Sequence, residues 1–105
     1  MTRHGIELDS QAIRSFCRRW KISDLAVFGS ILRDDFHPDS DVDFLVDFDA
    51  DEDWDLFDDL AMRDELSEII GREANILTRR AVRSTQNRIL QQDILGTAET
   101  VCAER

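Results

Sequence analysis

Residues 41–48 read DVDFLVDF, an alternation that sets Val42, Phe44, Val46 and Phe48 on one side of an extended chain and Asp41, Asp43, Leu45 and Asp47 on the other. That two-residue period marks a strand with one face committed to a core. A shorter apolar run, DLAVF at residues 24–28, ends in Gly29-Ser30 and reads as a buried strand leaving its sheet through a tight turn. Between the two strands, residues 31–33 can begin a helical turn. The segment His37-Pro38-Asp39-Ser40 is loop chemistry, because a proline disfavours helix at the residue before it.

The flanking segments supply helices. Asp9 or Ser10 can cap a helix whose apolar residues Ile13, Phe16, Cys17 and Trp20 follow helical spacing, ending near Lys21. An acidic stretch, residues 47–59, leads into a second helix carrying Leu56, Phe57, Leu60, Ala61, Leu66, Ile69 and Ile70, with Gly71 placed to stop it. EANILT, residues 73–78, reads as a third strand. A helix from Arg79 to about Gln92 would turn Val82, Ile89 and Leu90 inward, and residues 99–103 can add a terminal edge strand. The order implies an α/β (α+β) fold, a small mixed β-sheet flanked by helices. With no internal repeat or linker, one domain is expected over residues 1–105, its core spanning about 9–103.

Charge and cysteine usage narrow the function. Thirteen basic against twenty-three acidic side chains give a net charge of −10, which argues against a nucleic-acid backbone or an anionic membrane as direct partner and favours a basic protein or a metal-bound anion. Cys17 and Cys102 belong to no metal or redox pattern and read as small apolar residues in a reduced compartment. No window approaches the ~18 consecutive apolar residues of a membrane span, so a cytoplasmic location is expected.

The chemistry sits where the two strands meet. Gly29-Ser30 is followed, ten residues later, by Asp41-Val42-Asp43. Gly29 lets backbone approach a phosphate with no Cβ in the way, and Ser30 adds a hydroxyl beside backbone N–H donors. Asp41 and Asp43, two apart on a strand, point to one face, where hard oxygen ligands can share divalent cations that neutralise a triphosphate. The competing reading is two solvated aspartates on an edge strand, and strand context decides between them.

The segment FGSILRDDFHPDSDVDFLVDF, residues 28–48, resembles the signature of the minimal nucleotidyltransferase family within the DNA polymerase β-like superfamily. The helix before it, the helix after it and GREANILTRRAV also look like that family. The resemblance implies a polymerase β-like nucleotidyltransferase fold in which Gly29 and Ser30 hold the triphosphate of ATP and Asp41 and Asp43 ligate Mg²⁺. Arg33, at the arginine of the family's GSxxR segment, would touch phosphate or pair with a nearby carboxylate. Such domains resemble the antitoxins of HEPN–MNT pairs, which transfer AMP from ATP to a tyrosine of a HEPN ribonuclease toxin.

The third strand departs from the family pattern. Asn75 stands where a third carboxylate is expected, and a neutral amide cannot act as a general base. Glu73, two residues earlier on the same expected face, is the candidate substitute. A second reading therefore stays open: an antitoxin that inhibits its toxin by binding alone. The chain contains no Tyr, so an adenylylated tyrosine must come from a partner.

Other features have plain alternatives. The acidic run can dock a basic toxin surface or simply be a solvated loop and helix start. Trp54 can staple that helix or anchor an interface. His37 reads as a solvated loop residue, His4 as part of a frayed start, and Arg79, Arg80, Arg83 and Arg88 as an exposed basic face or an approach to phosphate.

Overall fold

The computed structural model describes residues 2–8, 10–34, 36–37, 39–48 and 55–103. The Asp9 cap, the Pro38 turn, and Trp54 with the acidic residues at 49 and 51–53 lie outside the described residues. In chain order the elements are β1 (Thr2–Arg3), β2 (Ile6–Glu7), α1 (Gln11–Arg19), β3 (Ile22–Phe28), a 3-10 turn (Gly29–Leu32), β4 (Val42–Phe48), α2 (Leu56–Ile70), β5 (Ala74–Thr78), α3 (Arg79–Ser84), α4 (Arg88–Thr97) and β6 (Glu99–Ala103).

Four strands form the main sheet in the order β5-β4-β3-β6, with β3 antiparallel to β4 and β6, and β4 parallel to β5. The sheet is mixed, as the strand order in the sequence implied. A parallel pair needs a crossover rather than a hairpin, and α2 supplies it. Asp55 caps α2 through a reciprocal pair of hydrogen bonds with Asp58, and Gly71, at φ 76°, closes it in the left-handed conformation. The first acidic residues of the helix thus satisfy its N-terminus, which is the plain reading of that part of the acidic run.

The two faces of the sheet are covered unequally. Ile13, Phe16 and Cys17 of α1 and Met62 and Leu66 of α2 pack on Leu25, Val27, Val42, Phe44 and Val46 to form the larger core. Ser10 starts α1 by accepting from the Ile13 N–H at 3.2 Å. Arg19 and the Trp20 indole N–H, the latter at 3.0 Å, both donate to Glu65, so the end of α1 is fastened to α2. On the other face a smaller cluster joins Ala26 and Leu45 to Val82 of α3 and Ile94 of α4. Neither Cys17 nor Cys102 is in a disulfide, and among the described residues no helix is long and apolar enough to cross a membrane.

Three expectations are corrected. The frayed start is a two-stranded hairpin, β1 with β2, which buries Ile6 and leads into the buried Leu8. His4 stacks on Phe36 with 4.7 Å between ring centroids. The single helix expected from Arg79 to Gln92 is two. The break falls at residues 85–87, where Asn87 caps α4 by accepting from the Leu90 N–H at 3.1 Å, a local bond that competes with helix continuation. Because α4 starts afresh at Arg88, its inward residue is Ile94, while Ile89 and Leu90 are 83% and 47% exposed. Leu56, Phe57 and Leu60 of α2 are also exposed.

Candidate active site

The register of β3 on β4 pairs Phe28 with Asp43, so the chain turns away from the sheet directly beside that aspartate. Gly29 has φ +78°, in the left-handed region that side chains disfavour, and a Cβ there would lie 2.7 Å from Asp43 Oδ2. Glycine is therefore required both by the turn and by the carboxylate that fills the space its side chain would take. Ser30 Oγ–H reaches the Asp41 carbonyl at 3.5 Å, a long contact that sets the 3-10 turn against the start of β4. Asp41 precedes β4 by one residue and is exposed, whereas Asp43 is half-buried.

The parallel register of β4 and β5 sets Asn75 beside Asp43. Its amide nitrogen donates to Asp43 Oδ1 at 3.2 Å and to Asp41 Oδ2 at 3.4 Å. Both carboxylates thus converge on one atom, on one side of the sheet. The amide oxygen accepts from Arg63 Nη2 of α2 at 3.3 Å. Carboxylates only accept and a guanidinium only donates, so the amide can satisfy both neighbours in this orientation alone. Ser67, one helical turn after Arg63, donates to the Arg63 carbonyl at 2.7 Å and accepts from the Ala74 N–H at 2.9 Å, which fixes α2 against β5.

Burial pushes the Asp43 carboxyl above the ordinary aspartate range, the Asn75 hydrogen bond draws it back, the Asp41 charge raises it further and Arg33 lowers it. Arg33 sits just past the 3-10 turn, its N–H on the Ser30 carbonyl at 3.0 Å. Among the described residues no group of three or more His, Cys, Asp or Glu side chains gathers in one place. Glu73 is exposed and precedes β5, and its carbonyl accepts from the Val42 N–H at 3.0 Å. Among the described residues, the carboxylates that converge here are those of Asp41 and Asp43. A cavity of about 470 Å³ is lined by Asp43, Arg63 and Asn75 and by apolar residues including Phe28, Leu77, Leu90 and Ile94.

Sequence reading gave no role to Arg63 or to Arg72, the latter inside the GREANILTRRAV segment; both meet their partners only through the fold. Arg72 Nη1 donates to the carbonyls of His37 and Ser40 at 3.3 and 3.2 Å, and its guanidinium lies 4.9 Å from the centroid of the Phe36 ring. It holds the loop that delivers Asp41. His37 has an exposed side chain. Arg79 forms an ion pair with Asp24 of β3 at 3.7 Å, four residues before the Phe28 end of that strand, so its side chain is committed away from the carboxylates.

A strand–glycine turn–strand unit presenting two converging carboxylates defines a nucleotidyl-transfer class of site, and the family model of the nucleotidyltransferase domain matches residues 9–95. The chain belongs to that family. Among solved structures it is similar to a minimal nucleotidyltransferase at 29% identity, covering 85% of each chain with a TM-score of 0.64. It shares its fold with a toxin–antitoxin solved with AMP-PNP, at 19% identity over 90% of this chain and 73% of that one, TM-score 0.67. The toxin–antitoxin MntA–HepT has the same fold at 17% identity over 92% of this chain and 72% of that one, TM-score 0.61. No curated protein matches the sequence.

Proposed function

We propose that this chain is a cytoplasmic, single-domain antitoxin that, with ATP and Mg²⁺, transfers AMP to a tyrosine of a HEPN ribonuclease toxin and thereby silences it. The observation that carries the reading is the convergence of Asp41 and Asp43 on one amide nitrogen beside the Gly29-Ser30 turn. The structural similarity to toxin–antitoxin proteins, one of them solved with AMP-PNP, supports the partner and the nucleotide.

In this reading Gly29 and Ser30 hold the triphosphate, Arg33 adds positive charge beside it, and Asp41 and Asp43 provide the oxygen ligands for Mg²⁺. The donor set fits that ion, which is ordinarily held by one or two carboxylates and completes its shell with phosphate oxygens and water. Bound there, the ion would neutralise the triphosphate and orient it. The tyrosine oxygen bonds to the α-phosphorus in line, the bond from that phosphorus to the bridging oxygen breaks, and pyrophosphate leaves. Asn75 cannot accept the phenolic proton, so in this reading the proton passes to solvent water rather than to a third carboxylate. The acceptor is supplied in trans because the chain has no Tyr.

Asn75 also favours a second reading. An amide nitrogen engaged by both carboxylates is a poor third corner for catalysis, and an antitoxin so built can inhibit by contact alone. Incubating the purified chain with its toxin partner, ATP and Mg²⁺, followed by intact-mass measurement, separates the two. Addition of AMP to the partner, abolished by Asp41→Ala/Asp43→Ala, is the expected result. A partner that is bound and inhibited yet unmodified would sink the transferase and leave the contact antitoxin.

A further inference from the structure

We propose that Arg63 is a positioning residue that weakens divalent-cation binding at the Asp41–Asp43 pair by holding the Asn75 amide with its nitrogen toward both carboxylates. This inference rests on the reading of that pair as the cation site.

The three hydrogen bonds form a chain from α2 to β4. Arg63 Nη2 donates to Asn75 Oδ1 at 3.3 Å, and Asn75 Nδ2 donates to Asp43 Oδ1 at 3.2 Å and to Asp41 Oδ2 at 3.4 Å. The amide oxygen is the one atom of the Asn75 side chain with a lone pair to offer a cation, and Arg63 holds it turned away from the carboxylates. The amide nitrogen meanwhile holds one oxygen of each carboxylate, Asp43 Oδ1 and Asp41 Oδ2. A cation that takes those two oxygens competes with the N–H contacts unless the amide turns over, and turning it points an N–H₂ at a guanidinium that can only donate. Arg63 thus adds a cost to cation binding without touching the cation.

Arg63 itself is well placed to hold this geometry. It lines the cavity beside Asp43 and Asn75 and is half-buried. Its backbone carbonyl is bonded to Ser67, which also takes the first N–H of β5, so the distance from α2 to Asn75 is set by the fold rather than by a mobile side chain. Outer partners of this kind ordinarily change metal affinity by about 10- to 100-fold. Here their effect is inverted, because the inner group is a donor.

The test is Mn²⁺ affinity, measured by EPR or calorimetry without nucleotide, in wild type, Arg63→Met, Asn75→Ala and the double variant. Arg63→Met is expected to tighten Mn²⁺ binding on the order of tenfold, and the same substitution made on Asn75→Ala is expected to add little. A through-space charge effect would be equal in both backgrounds, so equal tightening overturns the proposal, as does an unchanged or weaker affinity in Arg63→Met. Circular dichroism checks that each variant is folded, and Arg63→Lys, which keeps a charged donor, should bind as wild type does if Arg63→Met proves unstable. Asp41→Ala/Asp43→Ala must bind no Mn²⁺ in any background. If it binds as wild type does, the cation-site reading itself fails, an outcome distinct from failure of the Arg63 role.

Discussion

Replacing Gly29 by alanine sets up two conflicts at one position. The backbone there has φ +78°, and the new methyl would sit 2.7 Å from Asp43 Oδ2. A non-glycine residue held in a sparsely populated region costs about 1–3 kcal/mol, so the unfolding free energy of Gly29→Ala, from a denaturant melt, should fall by that amount. Asp43 must also shift, so Mn²⁺ binding should be lost before the fold is. The Asp43 carboxyl itself is raised in the folded protein, chiefly by burial. A raised acid favours the folded state below its unfolded pKa, and that contribution is lost as pH rises through the folded pKa. Asp43→Asn does not titrate and still accepts from Asn75. In cation-free buffer its melting temperature should match wild type in strong acid and exceed it at neutral pH. A variant equal to or less stable than wild type at neutral pH would contradict this. Gly29, Asp41 and Asp43 were legible in the sequence because turn and strand chemistry constrain them locally. Arg63 was not, since its relation to Asn75 exists only once α2 has crossed over the sheet.

At the scale of elements, the joint between α2 and β5 decides whether Arg63 and Asn75 meet. Ser67 serves both sides of it, donating to the Arg63 carbonyl and accepting from the N–H of Ala74, a residue only 1% exposed. Ser67→Ala leaves that N–H without its partner in a buried place, which costs about 1–3 kcal/mol. A urea melt should show the loss, and amide exchange should accelerate first at residues 74–75. An unchanged melt would mean that water replaces the hydroxyl. β4 and α1 could be read from the sequence because their apolar residues keep strict periods, two along residues 41–48 and helical through Ile13, Phe16 and Cys17. The split between α3 and α4 could not. Val82 and Ile89 fit one continuous helix as well as two, and only the cap at Asn87 breaks the pattern. The hairpin of β1 and β2 was hidden for a different reason: two-residue strands are too short to show a period.

Over the whole molecule the sheet is covered unevenly, and the site lies on the thin side. Facing α1 and α2 is a core that includes fully buried Phe16, Phe44, Leu25 and Leu66. Facing α3 and α4 are four buried residues, Ala26, Leu45, Val82 and Ile94, and a cavity of about 470 Å³ reaching from Asp43 to Leu90. Less apolar burial on that side leaves α3 and α4 with fewer contacts to resist local opening. A ligand bound across the carboxylates and the cavity would add contacts where they are scarcest. Saturating MgATP, at 100 times its Kd, should therefore stabilise the chain by about 2.7 kcal/mol. For a domain of this size each kcal/mol corresponds to roughly 4–8 °C in melting temperature. The gain in amide protection should concentrate on α4 and the Asn75–Leu77 stretch rather than on α1. Asp41→Ala/Asp43→Ala should abolish both effects. If MgATP protects that double variant equally, the nucleotide binds elsewhere and the two aspartates do not hold it. If protection rises on α1 instead, the cavity is not where the ligand sits, whatever the carboxylates do.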